Sequence, residues 1–362
     1  MQSRRPPLVL KTPPFAHYGV AWSPFHTQRI ALASAANYGL VGNGRLHIAS
    51  VAGSGLLLEK QYDTQDGLYG IAWSELNDNH IASASGDGSI KLWDLTINDL
   101  PIRSWKEHIR EVSSLDWSNI RKDIFASSSW DGAIKIWTPD RPRSITTIPA
   151  HNGCAYQVLF SPHVPSVLAS CSTDGTIRFF DMRTPMPLPS VSPPGAPPAL
   201  ATPIWTLPAH GTEVLSFDWN KYRPWVIASS SVDRTIKIWD CRMIKDSMDA
   251  TPLPSQQSGV GGTCEADLRG HEYAVRKIQW SPHRADIIAS ASYDMSCRMW
   301  VPPPRPICRW TTSPQPPGRP SLLAIHDLHT EFVVGCAWSL YDEGLLASCS
   351  WDHSLQIYRP LE

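Results

Sequence analysis

The chain has 362 residues, with 32 Lys and Arg against 33 Asp and Glu and a formal net charge of −1. That balance excludes a bulk electrostatic footprint for nucleic acid or an anionic membrane surface, and no apolar run approaches the length of a membrane-spanning helix. Eight cysteines without CxxC spacing predict small buried hydrophobes in a reducing, intracellular context, with Cys171, Cys297 and Cys349 in or beside inner strands.

The opening segment MQSRRPPLVLKTPP is too short and too broken by proline to read as a secretory signal, and the final PLE is not a peroxisomal SKL address. LVL at residues 8–10 reads as a lone strand. A degenerate unit runs from YGVAW at 18–22 to LHI at 46–48. It carries the insertion NYGLVGNGRLHI, in which Gly39, Gly42 and Gly44 are expected to supply the positive φ of a hairpin around Asn43. The next unit has Trp73, Ser83, Asp87 and Trp93, with Thr64 where later units have His.

Residues 108–137, HIREVSSLDWSNIRKDIFASSSWDGAIKIW, show the full unit. Counted from Asp131, Ser127 lies 4 back, Trp117 14 back, His108 23 back and Trp137 6 ahead. The same offsets recur in His151, Phe160, Ser170, Asp174 and Phe180, and in His210, Trp219, Ser229, Asp233 and Trp239. They recur again in His271, Trp280, Ser290, Asp294 and Trp300, and in His329, Trp338, Ser348, Asp352 and Tyr358, which makes seven units. Within each unit, runs such as VSSLDW, IFASS and AIKIW have strand length and strand composition, and polar turns separate them.

Such units, about 40 residues long and closing on Trp-Asp or an aromatic equivalent, resemble the WD repeat and imply an all-β, seven-bladed β-propeller. One sheet cannot bury both of its faces alone, so the sheets stack on one another and close into a ring. The expectation is a single domain over residues 1–362, with the first strand completing the last blade so that no long edge is left open. Deleting residues 1–12 is then expected to open the ring. Residues 184–203, 246–263 and 301–320 are rich in Pro, Gly and Ser and read as mobile inter-blade loops.

The recurring His, Ser and Asp invite a hydrolase reading. A hydrolase needs one nucleophile, one base and an oxyanion hole, whereas this trio repeats through the chain with an aromatic attached. The WD resemblance implies a structural relay instead, made of His108, Ser127, Asp131 and Trp137 and of their equivalents. Those are His151 and Asp174; His210, Asp233 and Trp239; His271, Asp294 and Trp300; and His329 and Asp352. No G-x-S-x-G, H-E-x-x-H or Walker pattern is present, so neither an enzyme nor a cofactor is expected, and no metal spacing is found.

The resemblance to WD proteins also implies which residues face the wider-loop "top" of the ring: the third and fifth after each His, and the one before the turn Asp. Here these are Glu111, Ser113 and Trp130; Cys154, Tyr156 and Thr173; Glu213, Leu215 and Val232; Ala274, Arg276 and Tyr293; and Phe332, Val334 and Trp351. Blade two contributes Gly67 beside Asp66, and blade one His17 and Tyr18. Carboxylates (Asp66, Glu111, Glu213) are expected on one side, with exposed Trp130, Tyr293, Phe332 and Trp351 around the rest. An interface for a basic amphipathic segment would have that composition.

Several stretches go beyond generic WD features: YGVAWSP at 18–24, NYGLVGNG at 37–44, YDTQDGL at 62–68, EHIREVSSLDW at 107–117 and SWDHSLQIY at 350–358. Through them the chain resembles, over its whole length, the peroxin-7 family of receptors for the type 2 peroxisomal targeting signal. The resemblance implies a cytosolic import receptor that cycles to the peroxisome. Its cargo would carry an N-terminal helical signal with a basic residue and an apolar face, 3-ketoacyl-CoA thiolase being an example. A co-receptor peroxin and the peroxisomal docking complex would be its other partners. The top-face residues Asp66, Glu111, Trp130, Tyr156, Glu213, Arg276, Tyr293, Phe332 and Trp351 would then read the signal. A second reading rests on FDMR at 180–183 and WDCR at 239–242, which resemble the Trp-Asp-x-Arg ending of substrate receptors of cullin ubiquitin ligases; a general WD scaffold is a third.

Overall fold

The computed structural model describes residues 6–40, 42–53, 55–184, 200–243, 259–303 and 321–362. Seven antiparallel sheets follow one another along the chain. In blade three, Val112–Trp117, Phe125–Ser129, Ala133–Trp137 and Thr146–Pro149 pair in that order from the central channel outwards. The second strand is buried along its whole length, because each blade is covered on both faces by its neighbours.

The core is divided into seven apolar clusters, one at each junction between blades. Between blades two and three, Ile90, Leu92 and Trp105 meet Val112, Trp117 and Phe125. Between blades seven and one, Leu355 and Ile357 meet Trp22, Ile30 and Leu32, and Leu8 and Leu10 pack on the same cluster. The strand Leu8–Lys11 is the outer strand of blade seven, with Leu8 opposite Ile357 and Lys11 opposite Ser354. The ring closes as expected, and the edge of Ser354–Tyr358 is covered.

The innermost strands have a free edge toward the next blade, and side chains satisfy it. Asp116 accepts the Phe160 N–H at 2.7 Å, Gln157 that of Phe217 at 3.1 Å, Asp218 that of Trp280 at 2.7 Å and Gln279 that of Trp338 at 2.7 Å. The indoles of Trp22 and Trp73 bond the carbonyls of Ala337 and Ala21, each at 3.0 Å. Burial pushes the Asp116 carboxyl up to about 7 against the pull of the Phe160 N–H.

The repeated polar residues converge as expected. In blade three, His108 Nδ1 lies 2.8 Å from Asp131 and Nε2 lies 2.8 Å from Ser127, whose Oγ also accepts the Trp137 indole at 2.8 Å. The Asp131 carboxylate can only accept, so Nδ1 donates to it, which leaves Nε2 to accept the single Ser127 hydrogen while the Ser127 oxygen accepts the indole N–H. The same set holds at His210 and at His271, with indoles from Trp239 and Trp300. His151 and His329 reach Asp174 and Asp352, and Ser170 and Ser348, in the same way. Burial alone would raise the Asp174 carboxyl, but bonds from His151 and Thr176 bring it down to about 2.

Blade two keeps only the Trp93 to Ser83 bond, at 2.9 Å. Blade one uses a different relay: Thr12 to His17 at 3.1 Å, His17 to Ser34 at 2.8 Å and Ser34 to His47 at 3.0 Å.

One expectation is corrected. In the blade-one insertion the positive φ falls on Asn37 (48°), Tyr38 (56°) and Asn43 (86°), and not on Gly39, Gly42 or Gly44. Gly42 and Gly44 are needed for clearance: a Cβ on Gly42 would lie 2.5 Å from the Gln65 carbonyl oxygen, and one on Gly44 would collide with that of Asp66. The loops at 184–203, 246–263 and 301–320 lie largely outside the described residues. Their described ends are tied down. Ala201 N donates to Pro149 O at 2.9 Å, and Gly259–Val260 adds a parallel fifth strand beside Trp205 and Thr206 of blade four. That outer strand otherwise has unpaired edge groups, which is the physical reason part of 246–263 is not loop.

Two outcomes follow. Asp131→Ala strands His108 and the Ile109 and Ala133 N–H groups that Asp131 accepts, so stability measured by urea unfolding is expected to fall by about 2–4 kcal/mol. The second concerns pH. His17 and His47 are both pushed down to about 3, by burial first, helped by His47 at His17 and by Arg45 at His47. Below the ordinary histidine value of about 6.5 the unfolded chain binds these protons and the folded chain does not. Stability is therefore lost as pH falls from about 6.5 toward 3, by about 1–2 kcal/mol per histidine at pH 5. The melting temperature should drop between pH 7 and 5, and less steeply in His47→Gln; equal slopes would remove blade one as the cause.

Candidate functional site

The site is built by one irregularity repeated seven times. In every innermost strand the register with its partner slips near the start, after the third pair in blade one and after the first in the others: between His17 and Gly19, Leu68 and Gly70, Val112 and Ser114, Ala155 and Gln157, Val214 and Ser216, Val275 and Lys277, and Val333 and Gly335. A bulge of this kind re-aims the residue it skips. The skipped residues are Tyr18, Tyr69, Ser113, Tyr156, Leu215, Arg276 and Val334. All but Leu215 line a cavity of about 90 Å³ at the top of the channel.

A second repeated contact places the residues outside that ring. The backbone N–H before each turn Asp donates to the carbonyl of the residue three after the His. Trp130 thus bonds Glu111 at 3.0 Å, Val232 bonds Glu213 at 3.2 Å, Tyr293 bonds Ala274 at 3.1 Å and Trp351 bonds Phe332 at 3.0 Å. The pairs that sequence offsets set far apart therefore stand side by side on the rim.

Asp66 and Glu111 are brought to one place. Both carboxylates act on the Tyr69 hydroxyl, which is raised first by burial and then by these two charges. Asp66 accepts the Gly67 N–H at 2.7 Å, and no cation among the described residues lies within salt-bridge distance of it. Glu111 is 3.6 Å from Arg110. Glu213 does not join them. It accepts the Tyr156 hydroxyl at 3.0 Å, so the expected cluster of three unpaired acids is corrected: Asp66 and Glu111 stand together, Glu111 already beside Arg110, and Glu213 is engaged by Tyr156.

The aromatic residues form a continuous arc over blades two, one, seven and six. Centroid distances are 5.1 Å from Tyr69 to Tyr18, 5.5 Å from Tyr18 to Trp351, 5.3 Å from Trp351 to Phe332 and 5.0 Å from Phe332 to Tyr293. Trp130 stands apart, 6.4 Å from Tyr156 and covered by the Arg110 guanidinium at 5.8 Å. All four expected exposed anchors, Trp130, Tyr293, Phe332 and Trp351, are half-buried. Ring stacking, which offsets along a strand do not reveal, accounts for the difference. Arg276 projects at the mouth opposite the acids and donates to the Leu215 carbonyl at 3.4 Å. Tyr69, which bridges the acids to the aromatic arc, was not foreseen. It lies four residues before Trp73, as Tyr156 does before Phe160, a count that needs no His.

The serines of the His-bearing relays are fully buried, and in blades three, five and six an indole N–H also occupies the Oγ, so these hydroxyls are closed off from solvent. Arg183 and Arg242 turn back on their own motif, each with two bonds to one carboxylate, at 3.0 and 2.6 Å to Asp181 Oδ2 and at 3.0 and 2.6 Å to Asp240 Oδ2. Among the described residues no cluster of His, Cys, Asp and Glu suited to a metal ion occurs.

Comparison with known proteins agrees with this architecture. Residues 58–94, 100–138, 142–181, 201–240, 262–301 and 321–359 match the family described as WD domain, G-beta repeat. Blade one, with its insertion and its variant relay, falls almost wholly outside those matches. The peroxisomal targeting signal 2 receptor of Saccharomyces cerevisiae is 36% identical, covering 96% of this chain and 98% of that protein. Peroxisome biogenesis protein 7 of Arabidopsis thaliana is 40% identical, with 96% of each covered. The peroxisomal targeting signal 2 receptor of Homo sapiens is 34% identical, covering 90% of this chain and 87% of that protein.

The packing separates the two tryptophans. Trp351 contacts Tyr18, Tyr38 and Phe332, whereas Trp130 contacts Tyr156 and Arg110. Trp351→Ala is expected to lower stability by about 2–3 kcal/mol and Trp130→Ala by about 1 kcal/mol, measured by chemical denaturation. Equal losses would contradict the packing described.

Proposed function

The chain belongs to the WD-repeat family of peroxisomal targeting signal 2 receptors, and from that premise we propose that it binds the N-terminal helical targeting signal of cargo proteins on its top face. In this reading the receptor takes cargo in the cytosol and, together with a co-receptor, delivers it for import into the peroxisomal matrix, cycling between the two compartments. The observation that carries the reading is the mouth itself. Two carboxylates, Asp66 and Glu111, flank Tyr69 at one end of an unbroken aromatic arc. An amphipathic helix with a basic residue beside an apolar stripe has the matching chemistry.

The charge arithmetic favours a covered site. An exposed cation beside one acid gains only about 0.2–1 kcal/mol. Two acids around one Arg or Lys, shielded once helix and co-receptor lie over them, supply charge-assisted bonds of about 1.5–3 kcal/mol each. Glu213 is already held by Tyr156 and would contribute to the rim more than to the cation. The ubiquitin-ligase reading has no comparable geometry behind it: Arg183 and Arg242 are exposed residues after their strands, each paired with its own motif's Asp. Catalysis has no place in the proposal: the receptor works by binding and release.

The test is titration of a type 2 signal peptide with and without a co-receptor fragment. Asp66→Asn or Glu111→Gln should weaken binding several-fold without lowering the melting temperature. Added salt should weaken the wild type more than the double variant. Unchanged affinity of both variants at low salt would remove this acid pair as the reader of the basic residue.

A further inference from the structure

The channel has a second end, and its chemistry has no part in the proposed function. The inner strands run from their bulges at the top to an aromatic residue at the other end, and a cavity of about 320 Å³ opens there. Its wall is a girdle of rings, Trp22, Trp73, Trp117, Phe160, Trp219 and Trp338. An apolar wall around a few polar groups, at this size, is the ordinary form of a small-molecule site.

The polar groups within that girdle include donors left without acceptors. Gln157 and Gln279 each give Oε1 to a backbone N–H of the next blade, at 3.1 and 2.7 Å, so each turns its NH2 elsewhere, and no acceptor among the described residues takes it. Lys277 lies two residues before Gln279 on the same strand and so on the same face. Burial is the first cause that lowers its ammonium, and no carboxylate among the described residues comes within salt-bridge distance of it. Trp219 Nε1 is also buried and unpartnered, whereas the indoles of Trp22, Trp73 and Trp338 each bond a carbonyl of the preceding blade. The acids of the same cavity are largely spent. Asp218 pairs with Lys221 at 2.9 Å and accepts the Trp280 N–H. Glu75, in the turn after Trp73, is raised by burial against the pull of Lys122. Burial holds the Asp116 carboxyl up to about 7, so at neutral pH about half of it carries no charge.

We infer that this lower channel binds a small carboxylate with an apolar body, the head taken by Lys277, Gln157 and Gln279 and the body by the girdle of rings. An ionised carboxylate offers only acceptors, which is what these donors lack, and a cation within apolar walls gains more from an anion than one in open water does. One negative charge is the limit, because Asp116 and Asp218 oppose a second. An amine would leave the donors unpaired and meet Lys277 with like charge, and a wholly apolar ligand would strip water from Lys277 without replacing it. The site opens at the end away from the acid pair and the aromatic arc, so it stands or falls independently of the proposed function.

The test uses the full chain, with octanoate as the probe and octanol as its uncharged counterpart. Binding is read by calorimetry and by tryptophan emission, since indoles form most of the wall, and the melting temperature of each variant is recorded. Octanoate is expected to bind saturably and at least about ten-fold more tightly than octanol. Lys277→Met keeps an unbranched stem and removes the charge. It should weaken octanoate about ten-fold and change octanol by less than about two-fold. Asp116→Asn keeps an acceptor for the Phe160 N–H and removes the opposing charge, so it should bind octanoate about three-fold more tightly. Octanol bound as tightly as octanoate, or no saturable binding of octanoate to the folded wild type at millimolar concentration, would overturn the inference. Unchanged octanoate affinity in Lys277→Met would do the same. Where that variant does not fold, Asp116→Asn decides, and unchanged or weaker octanoate binding there overturns the inference.

Discussion

The structure depends on satisfying the inner-strand edges that face a common channel, and six of the seven blade junctions show a side-chain bond that does so. An inner strand cannot pair with the next blade's inner strand, because the sheets fan out from the axis, so each junction needs a substitute partner. Asp116, Gln157, Asp218 and Gln279 reach across to the next blade's N–H, and the Trp22 and Trp73 indoles reach the opposite way to carbonyls. An unpaired buried backbone group costs about 1–3 kcal/mol, so these bonds set the spacing of the blades. Leu8–Lys11 then removes the last outer edge. With the ring locked, each inner strand carries one bulge near its start, which releases one residue into the mouth. Ring and mouth thus follow from one constraint.

Most of the architecture was legible because it is repeated. The offsets that link His108, Ser127, Asp131 and Trp137 recur, so chance spacing averages out, and the relay, the blade number and the closing strand all follow from them. The bulges were not legible. A bulge is a single skipped pair with no residue type of its own, since Tyr, Ser, Leu, Arg and Val all occupy it. Tyr69 escaped notice because its unit lacks the His from which the others were counted. The glycines of the insertion were read for backbone freedom, whereas Gly42 and Gly44 are required for clearance against the segment that carries Asp66. Glu213 looked unpaired because its partner, Tyr156, belongs to the preceding blade, beyond the reach of any spacing within one repeat.

Residues that repeat and residues that do not have separate duties. Relay positions recur almost unchanged, and their His, Ser and aromatic members are buried, so they carry stability. Positions at the mouth change from blade to blade, and the near-sevenfold scaffold presents an asymmetric face. Acids gather at blades two and three, aromatic rings run from blade two through blades one and seven to six, and Arg276 stands at blade six. On the proposed function, a cationic helix would be attracted at one point of this face and repelled at another within the same mouth, and a like-charge contact discriminates as strongly as an attractive one. Asymmetry of charge would then fix the direction in which such a ligand lies, and the arc of rings which of its faces turns inward, with neither choice requiring the scaffold to move.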